Sequence, residues 1–267
     1  MELYVAVLLI GLIHSSYGIE CGLTKSGISN FIVGGVDASE GQLPWQVGLQ
    51  VKASGNSWAM ICGGTLVTDG NALRVITAAH CLSGTRPDAY RIVFGLHLRS
   101  QQNSNLAKIV QRSPIKVVPH SGYSSNTLRN DIAVFDFGSS FTMDTLAGTF
   151  ASPACLPDVL HTSNEVAIVS GWGTIREGTS TYTDPLQYVT KHLMTNAECE
   201  QTGNKGQIDS TMLCAGDVGI DACQGDSGGP LVVNRNGRYT LVGMYTIFLK
   251  LPVFIRLYIE YGMRRLI

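Results

Sequence analysis

The sequence predicts an all-β protein with one helix near its C-terminus. Short apolar segments rich in β-branched and aromatic residues recur along the chain, and 30 glycines among 267 residues are scattered between them. The clearest of these predicted strands are 45–51, 90–94, 131–135, 166–169 and 230–233. Helical periodicity is weak until residues 257–266, where apolar residues recur on one face of a predicted terminal helix.

One turn between two predicted strands can be assigned in detail. The sequence Asn-Arg-Asn-Gly at 234–237 separates the apolar pair Val232-Val233 from the strand-like segment 239–242. An Asn-Gly pair between two such segments is typical of a tight hairpin, because both residues tolerate a positive φ. We therefore expect an antiparallel hairpin here.

Composition and charge exclude some classes of function. The formal net charge is −1 and only 15% of residues are charged, so no basic face for a nucleic acid is expected. After the N-terminal region, no stretch is long and apolar enough to be a membrane-spanning helix. The chain is therefore expected to have neither a nucleic-acid nor a membrane partner.

The N-terminus has the features of a secretory signal peptide. An apolar run from Leu3 to Ile13 is too short for a transmembrane helix, and Ser16 and Gly18 follow it as a small-x-small cleavage signal. The segment before the run holds Glu2 and no basic residue, which departs from the usual pattern. We predict a signal peptide at residues 1–18 and a secreted, extracellular protein; the alternative is a buried N-terminal strand.

Seven cysteines favour disulfide bonds, because a secreted chain normally oxidises them. The number is odd, so at least one thiol lacks a partner within the chain. No pair has the C-x-x-C spacing of a zinc site, and no metal or cofactor is expected. The cysteines are Cys21, Cys62, Cys81, Cys155, Cys199, Cys214 and Cys223.

The strongest local motif is Gly-Asp-Ser-Gly-Gly-Pro at 225–230. Glycines on both sides allow a tight backbone that can approach a substrate carbonyl, so Ser227 is a candidate nucleophile. The N–H groups of Gly225 and Ser227 are then candidates for an oxyanion hole. An ordinary Gly/Ser/Pro turn is the alternative explanation.

A serine nucleophile needs a base, and the base needs a residue that orients it. His80 lies beside Cys81 in the small, apolar motif Thr-Ala-Ala-His-Cys, and Asp131 precedes the apolar segment Ile-Ala-Val-Phe. Taken one at a time, His80 could be a surface or core histidine and Asp131 a strand-capping aspartate. The occurrence of all three motifs in one chain by coincidence is improbable.

Taken jointly, these motifs resemble those of the chymotrypsin/trypsin family of serine proteases. The order His, Asp, Ser along the chain is the order of that family, unlike subtilisin or the α/β-hydrolases. The matching segments are IVGG (32–35), PWQV (44–47), CGGTL (62–66), TAAHC (77–81), NDIA (130–133), SGWG (170–173) and DACQGDSGGP (221–230).

The resemblance implies a fold of two six-stranded antiparallel β-barrels with a C-terminal helix and the active site between the barrels. It also implies a catalytic triad, in which Ser227 attacks the scissile carbonyl, His80 transfers the proton and Asp131 orients the imidazole. Gly225 and Ser227 would supply the oxyanion hole.

Activation by cleavage is a further implication of the resemblance. Residues 19–31 would be a propeptide, and residues 32–267 the protease domain. Cleavage after Phe31 would free the ammonium of Ile32 to pair with a buried Asp226. Phe31 departs from the Arg or Lys that is common in family zymogens; the alternative is that residues 19–31 are never removed.

The resemblance also implies the disulfides Cys62–Cys81, Cys21–Cys155 and Cys199–Cys214. Cys223 is left over, because the chain lacks a cysteine where the family has its partner. Some relatives bind calcium, but this chain offers Leu96 where an acidic ligand is needed, so no calcium site is expected.

Substrate specificity gives conflicting signals. Asp221 corresponds to the carboxylate that pairs with substrate Arg or Lys in trypsin-like relatives, although a solvated loop aspartate is the alternative. Where relatives read Ser-Trp-Gly, this chain reads Thr246-Ile247-Phe248, and Pro252 is followed by Val253 rather than glycine. Phe248 would narrow the pocket, whereas the hydroxyl of Thr246 could contact Asp131.

Three functions follow from these features. The first is a secreted endopeptidase, expected to be a monomer, that cleaves protein or peptide substrates after Arg or Lys and is open to protein inhibitors. The second is a protease for small residues, or an impaired homologue that acts as a binding protein. The third is a variant product that folds poorly.

Overall fold

The computed structural model describes residues 18–28, 35–158, 164–174, 182–201, 206, 208–216 and 227–246. The apolar run of the predicted signal peptide and the predicted C-terminal helix lie outside the described residues. Among the described residues, no helix combines the length and the apolar character that crossing a bilayer requires.

Strands dominate the described part of the chain. They are β1 (Val36–Asp37), β2 (Gln46–Lys52), β3 (Trp58–Thr68), β4 (Leu73–Thr77), β5 (Tyr90–Phe94), β6 (Val110–Arg112), β7 (Lys116–Pro119), β8 (Ala133–Asp136), β9 (Ala154–Cys155), β10 (Val166–Gly171), β11 (Gln187–Met194), β12 (Cys214–Ala215), β13 (Pro230–Arg235) and β14 (Arg238–Met244). The helices are short: 3-10 turns at Ser54–Asn56, Ala79–Cys81, Pro87–Ala89, Arg99–Gln101 and Met143–Leu146, and α1 at Asn196–Cys199. The predicted all-β fold is confirmed.

Strands β2 to β8 form a closed antiparallel ring. β2 pairs with β3 and β5, β3 with β4, β4 with β8, and β8 with β7. β6 continues from β5 on the other side and is separated from β7 only by residues 113–115. Because β6 and β7 are consecutive parts of one bent strand, they close the sheet into a barrel and remove its free edges.

The strands after residue 165 form another antiparallel set, in the order β11-β10-β13-β14, with β12 on β11; β1, from the N-terminal part of the chain, joins it beside β11. The predicted hairpin is present as β13–β14. Arg235 pairs with Arg238 across a two-residue turn, in which Asn236 and Gly237 have φ of 53° and 82°. These two positive φ values explain why an Asn-Gly sequence suits this turn.

The two halves of the molecule are joined at the centre. β9 lies parallel to both β3 and β14, so one short strand connects the two sets. Trp45, just before β2, packs against Tyr239 of β14 with ring centroids 4.9 Å apart. Both aromatic side chains are buried in the main core cluster. The end of β4 lies beside the start of β8, where Thr77 pairs with Ala133, and also against the turn before β13, where Gly228 approaches Thr77.

One predicted strand begins later than expected. The apolar pattern predicts a strand from Asp131, but β8 begins at Ala133. Asn130 has a φ of 54°, and the N–H of Ile132 donates to the carbonyl of Asn130, so the chain turns sharply here. This turn takes Asp131 out of the ladder and directs its carboxylate to His80.

Candidate active site

His80 and Asp131 come from strand ends that lie side by side. β4 and β8 pair antiparallel, with Thr77 opposite Ala133. His80 follows Thr77 by three residues and Asp131 precedes Ala133 by two, so both leave the sheet at the same edge. His80 lies in the 3-10 turn Ala79–Cys81 that follows β4. The antiparallel register therefore brings the two side chains together.

Asp131 holds His80 at two points. One carboxylate oxygen accepts the backbone N–H of His80 at 2.8 Å, and the other lies 2.7 Å from its Nδ1. The Asp131 side chain is 1% exposed and that of His80 is 26% exposed. An imidazole that donates Nδ1–H to this carboxylate presents an unprotonated Nε2, which is the tautomer needed by a general base.

A further donor satisfies the buried carboxylate. The hydroxyl of Thr246, which is 1% exposed, donates to Asp131 Oδ2 at 3.2 Å. This is the contact that the sequence analysis proposes. Tyr123 also faces this carboxylate: its pKa is raised by burial and, secondly, by the negative charge of Asp131. Buried carboxylates require such donors, because an unsatisfied one is costly.

Ser227 lies at the start of the turn that leads into β13 and is held through its backbone. Its carbonyl accepts the N–H of Gly63 at 2.9 Å, and the next residue, Gly228, donates its N–H to the carbonyl of Tyr245 at 2.7 Å. Gly228 has a φ of 78°, and a Cβ there would lie 2.3 Å from Thr77 Oγ1. Only glycine fits this close approach of two backbones.

The Cys62–Cys81 disulfide lies close to both His80 and Ser227. Cys81 Sγ lies 3.8 Å from His80 Nε2 and 3.9 Å from the carbonyl oxygen of Ser227. Two cysteines and a histidine close together resemble a metal site, but the two sulfurs are bonded to each other and are not thiolate ligands. The cluster is therefore a disulfide beside a histidine.

Three disulfides are present among the described residues, and they are the pairs that the resemblance implies: Cys21–Cys155, Cys62–Cys81 and Cys199–Cys214. The first attaches the segment 18–28 to the main body. Gly22 reinforces it, donating its N–H to Pro153 and accepting the N–H of Tyr239.

Several predicted site residues lie outside the described residues. They are the oxyanion-hole residue Gly225, the specificity residues Asp221 and Phe248, the activation residues Phe31, Ile32 and Asp226, and the leftover Cys223.

The sequence alone does not predict the backbone contact of Gly63 with Ser227. The glycine pair at 63–64 forms part of the CGGTL motif, which carries the family resemblance. A possible signal was the combination of two successive glycines in a strand, which often marks a close approach of another backbone.

Comparisons with known proteins identify the family. A family model described as Trypsin matches residues 32–250. The chain belongs to the trypsin family of serine endopeptidases. Trypsin beta of Drosophila erecta is 37% identical over 207 residues, covering 75% of this chain and 73% of that protein. Trypsin-1 of Astacus astacus is 36% identical over 218 residues, covering 80% and 87%.

Proposed function

We propose that the protein is a secreted serine endopeptidase that uses Ser227, His80 and Asp131 as its catalytic triad. The observation that carries this proposal is the two-point contact of Asp131 with His80, in which the carboxylate is buried and the imidazole is partly open to solvent. Ser227 supports it, because its carbonyl and His80 Nε2 contact the same disulfide sulfur.

In the proposed mechanism, the imidazole of His80 takes the proton of the Ser227 hydroxyl as that oxygen attacks the substrate carbonyl. The tetrahedral oxyanion is stabilised by the N–H groups of Gly225 and Ser227. His80 then donates the proton to the leaving amine, and water hydrolyses the acyl-enzyme by the reverse sequence of proton transfers. Asp131 keeps Nδ1 protonated throughout and stabilises the imidazolium that forms transiently.

Activation is part of the proposal. Removal of a signal peptide at 1–18 and cleavage between Phe31 and Ile32 would free an ammonium to pair with Asp226. The Cys21–Cys155 disulfide supports a two-chain product, since a released segment 19–31 would stay covalently attached to the protease domain.

The proposed specificity is for Arg or Lys before the cleaved bond, with Asp221 as the pairing carboxylate. The relatives named trypsin support it. The second candidate is a preference for small residues, favoured by the sequence Thr246-Ile247-Phe248 where the family has Ser-Trp-Gly. An impaired homologue that only binds proteins is the outcome if no catalysis is found.

The test is active-site labelling after controlled cleavage at Phe31–Ile32. A fluorophosphonate should label the cleaved chain on Ser227, label the uncleaved chain far more slowly, and leave Ser227→Ala unlabelled. Peptides ending in Arg, Phe or Ala before a fluorogenic amide then define the pocket. A folded, correctly cleaved chain that resists the label would overturn the enzymatic proposal, and a preference for Ala would overturn the role of Asp221.

A further inference from the structure

A groove beside the Cys62–Cys81 disulfide takes no part in the mechanism above. It encloses about 310 Å³ of empty space, part of it open to solvent. Its walls come from β3, from the turn after β5 and from the residues around β10 and β11. The side chains and backbone that matter here are Met60, Ile61, Gly63, Arg99, Trp172 and Tyr182.

The apolar lining of this groove is unusually open to solvent. Ile61 is 40% exposed and Tyr182 is 47% exposed, and both are among the exposed large hydrophobic residues of the described chain. Trp172, which also lines the groove, is buried, and its side chain is held by a hydrogen bond from Nε1 to the carbonyl of His97 at 2.9 Å. The groove therefore presents a preformed apolar surface on which a peptide can bury area.

A held cation lies at the edge of the groove. The guanidinium carbon of Arg99 is 4.1 Å from the ring centroid of Tyr182, a cation–π contact that restricts the side chain. Asp184 lies close in space, and its carbonyl accepts the backbone N–H of Arg99, but its carboxylate accepts the N–H and hydroxyl of Ser100. Among the described residues, no carboxylate forms an ion pair with Arg99.

The position of the groove determines which part of a substrate reaches it. His80 must deliver its proton to the leaving amine, so the leaving segment lies on the side of the imidazole. His80 Nε2 contacts the disulfide at Cys81, and Cys62, the other half of that disulfide, lines the groove. The chain after the cleaved bond is therefore directed into the groove.

We propose that Arg99 is a specificity-determining residue that selects an acidic side chain on the leaving segment of the substrate. The inference rests on the proposed function and names a substrate class for it. The guanidinium offers a planar set of donors to a carboxylate, and Tyr182 holds that plane in place.

The expected size of the preference for Asp depends on how exposed the Arg99 side chain is. The Arg99 side chain is partly buried, and partly exposed ion pairs contribute modestly, so we expect about a fivefold higher kcat/KM for a peptide with Asp than for the same peptide with Lys. Added salt should reduce this ratio, because the pair is accessible to counterions.

The experiment uses the cleaved full chain and two peptide series, with Arg or Ala before the cleaved bond and Asp, Asn or Lys at each of the three following positions. Arg99→Gln should remove the preference for Asp, and Arg99→Glu should reverse it toward Lys. Tyr182→Ala should weaken the preference without reversing it. Arg112→Glu is the matched control, because Arg112 is an exposed arginine on β6 away from the groove, and it should leave the preference unchanged.

Two further readouts separate this inference from the proposed function. Fluorophosphonate labelling and cleavage of a short amide with an aminocoumarin leaving group use no residue after the cleaved bond, so the Arg99 variants should leave both rates unchanged. Normal labelling with no discrimination between Asp and Lys, or discrimination that persists in Arg99→Glu, would overturn the inference alone. Absence of labelling in every cleaved chain would overturn the proposed function beneath it.

Discussion

His80 and Asp131 leave neighbouring strands of one barrel, whereas Ser227 belongs to the other half of the molecule. The first pair is fixed by the register of β4 and β8 and by side-chain hydrogen bonds of 2.7 and 2.8 Å. Ser227 is instead positioned by backbone contacts, at a place where Gly228 fits against Thr77. The comparison indicates that side-chain hydrogen bonds position His80 and Asp131, whereas close backbone packing positions Ser227.

The largest expected effect comes from changing the hydrogen bonds between Asp131 and His80. In Asp131→Asn, the amide oxygen can still accept the His80 backbone N–H, but the amide nitrogen then faces Nδ1 and forces the wrong imidazole tautomer. We expect the rate of peptide cleavage to fall about 10⁴-fold, the loss that this family's triad shows for that change. Steady-state kinetics and fluorophosphonate labelling measure it.

Asp136→Asn is the control for this substitution, since Asp136 lies on the same strand and its carboxylate accepts the N–H of the nearby Gly138. Its activity should remain within about twofold of the unmodified chain, because an amide oxygen can accept the same N–H. Equal losses in the two variants would mean that the negative charge near β8 matters, rather than the tautomer of His80.

The close backbone packing beside Ser227 is tested by Gly228→Ala. The φ of 78° and a Cβ placed 2.3 Å from Thr77 Oγ1 and 2.7 Å from the Gly63 carbonyl leave no room for a methyl group. We expect a loss of at least about 3 kcal/mol in the free energy of unfolding, and much slower labelling of Ser227. Urea unfolding and fluorophosphonate labelling measure the two effects.

Gly148→Ala is matched for backbone conformation. Its φ is 81°, but no atom lies within 4 Å of the added methyl group. Only the strain of the left-handed region remains, about 1–2 kcal/mol, and labelling should be normal. If both alanine variants lose the same stability, the contact between the two halves contributes nothing beyond backbone strain.

Thr246 links the two halves, because it follows β14 and donates to Asp131. Thr246→Val keeps the shape and removes one donor from a carboxylate that retains both contacts with His80. We expect about 2 kcal/mol less stability and roughly a tenfold slower cleavage, since a hydrogen bond to a charged group is lost while the tautomer is preserved. If Thr246→Ser restores both the stability and the cleavage rate, the two effects are due to the hydroxyl. A Thr246→Val variant as active as the unmodified chain would contradict a role of this hydroxyl in catalysis.

The difference between the halves also explains what the sequence could predict. His80, Asp131, Ser227 and the three disulfide pairs are marked by local motifs that a family resemblance can transfer. The approach of Gly63 to Ser227 and the stacking of Arg99 on Tyr182 depend on residues far apart in the chain. Two successive glycines at 63–64 indicate that some backbone comes close, but no local pattern identifies the partner, because these contacts arise only when the two strand sets pack together. β8 also begins later than the apolar pattern predicts, since that pattern does not reveal the turn at Asn130.

The smallest expected effect compares Asp131 with a carboxylate that has similar partners but lies in solvent. Glu198 in α1 accepts the backbone N–H of Thr195 at 2.7 Å and its hydroxyl at 2.8 Å, and these two contacts lower its pKa. A carboxyl group with a lowered pKa in the folded state stabilises the protein above its unfolded pKa and loses that contribution as the pH falls through the folded value. Glu198→Gln should therefore lower stability slightly at neutral pH and not at all at acidic pH, as measured by urea unfolding at both. Because Glu198 is fully exposed, its loss should be far below that of Thr246→Val; a comparable loss would show that the donors, rather than burial, make Asp131 important.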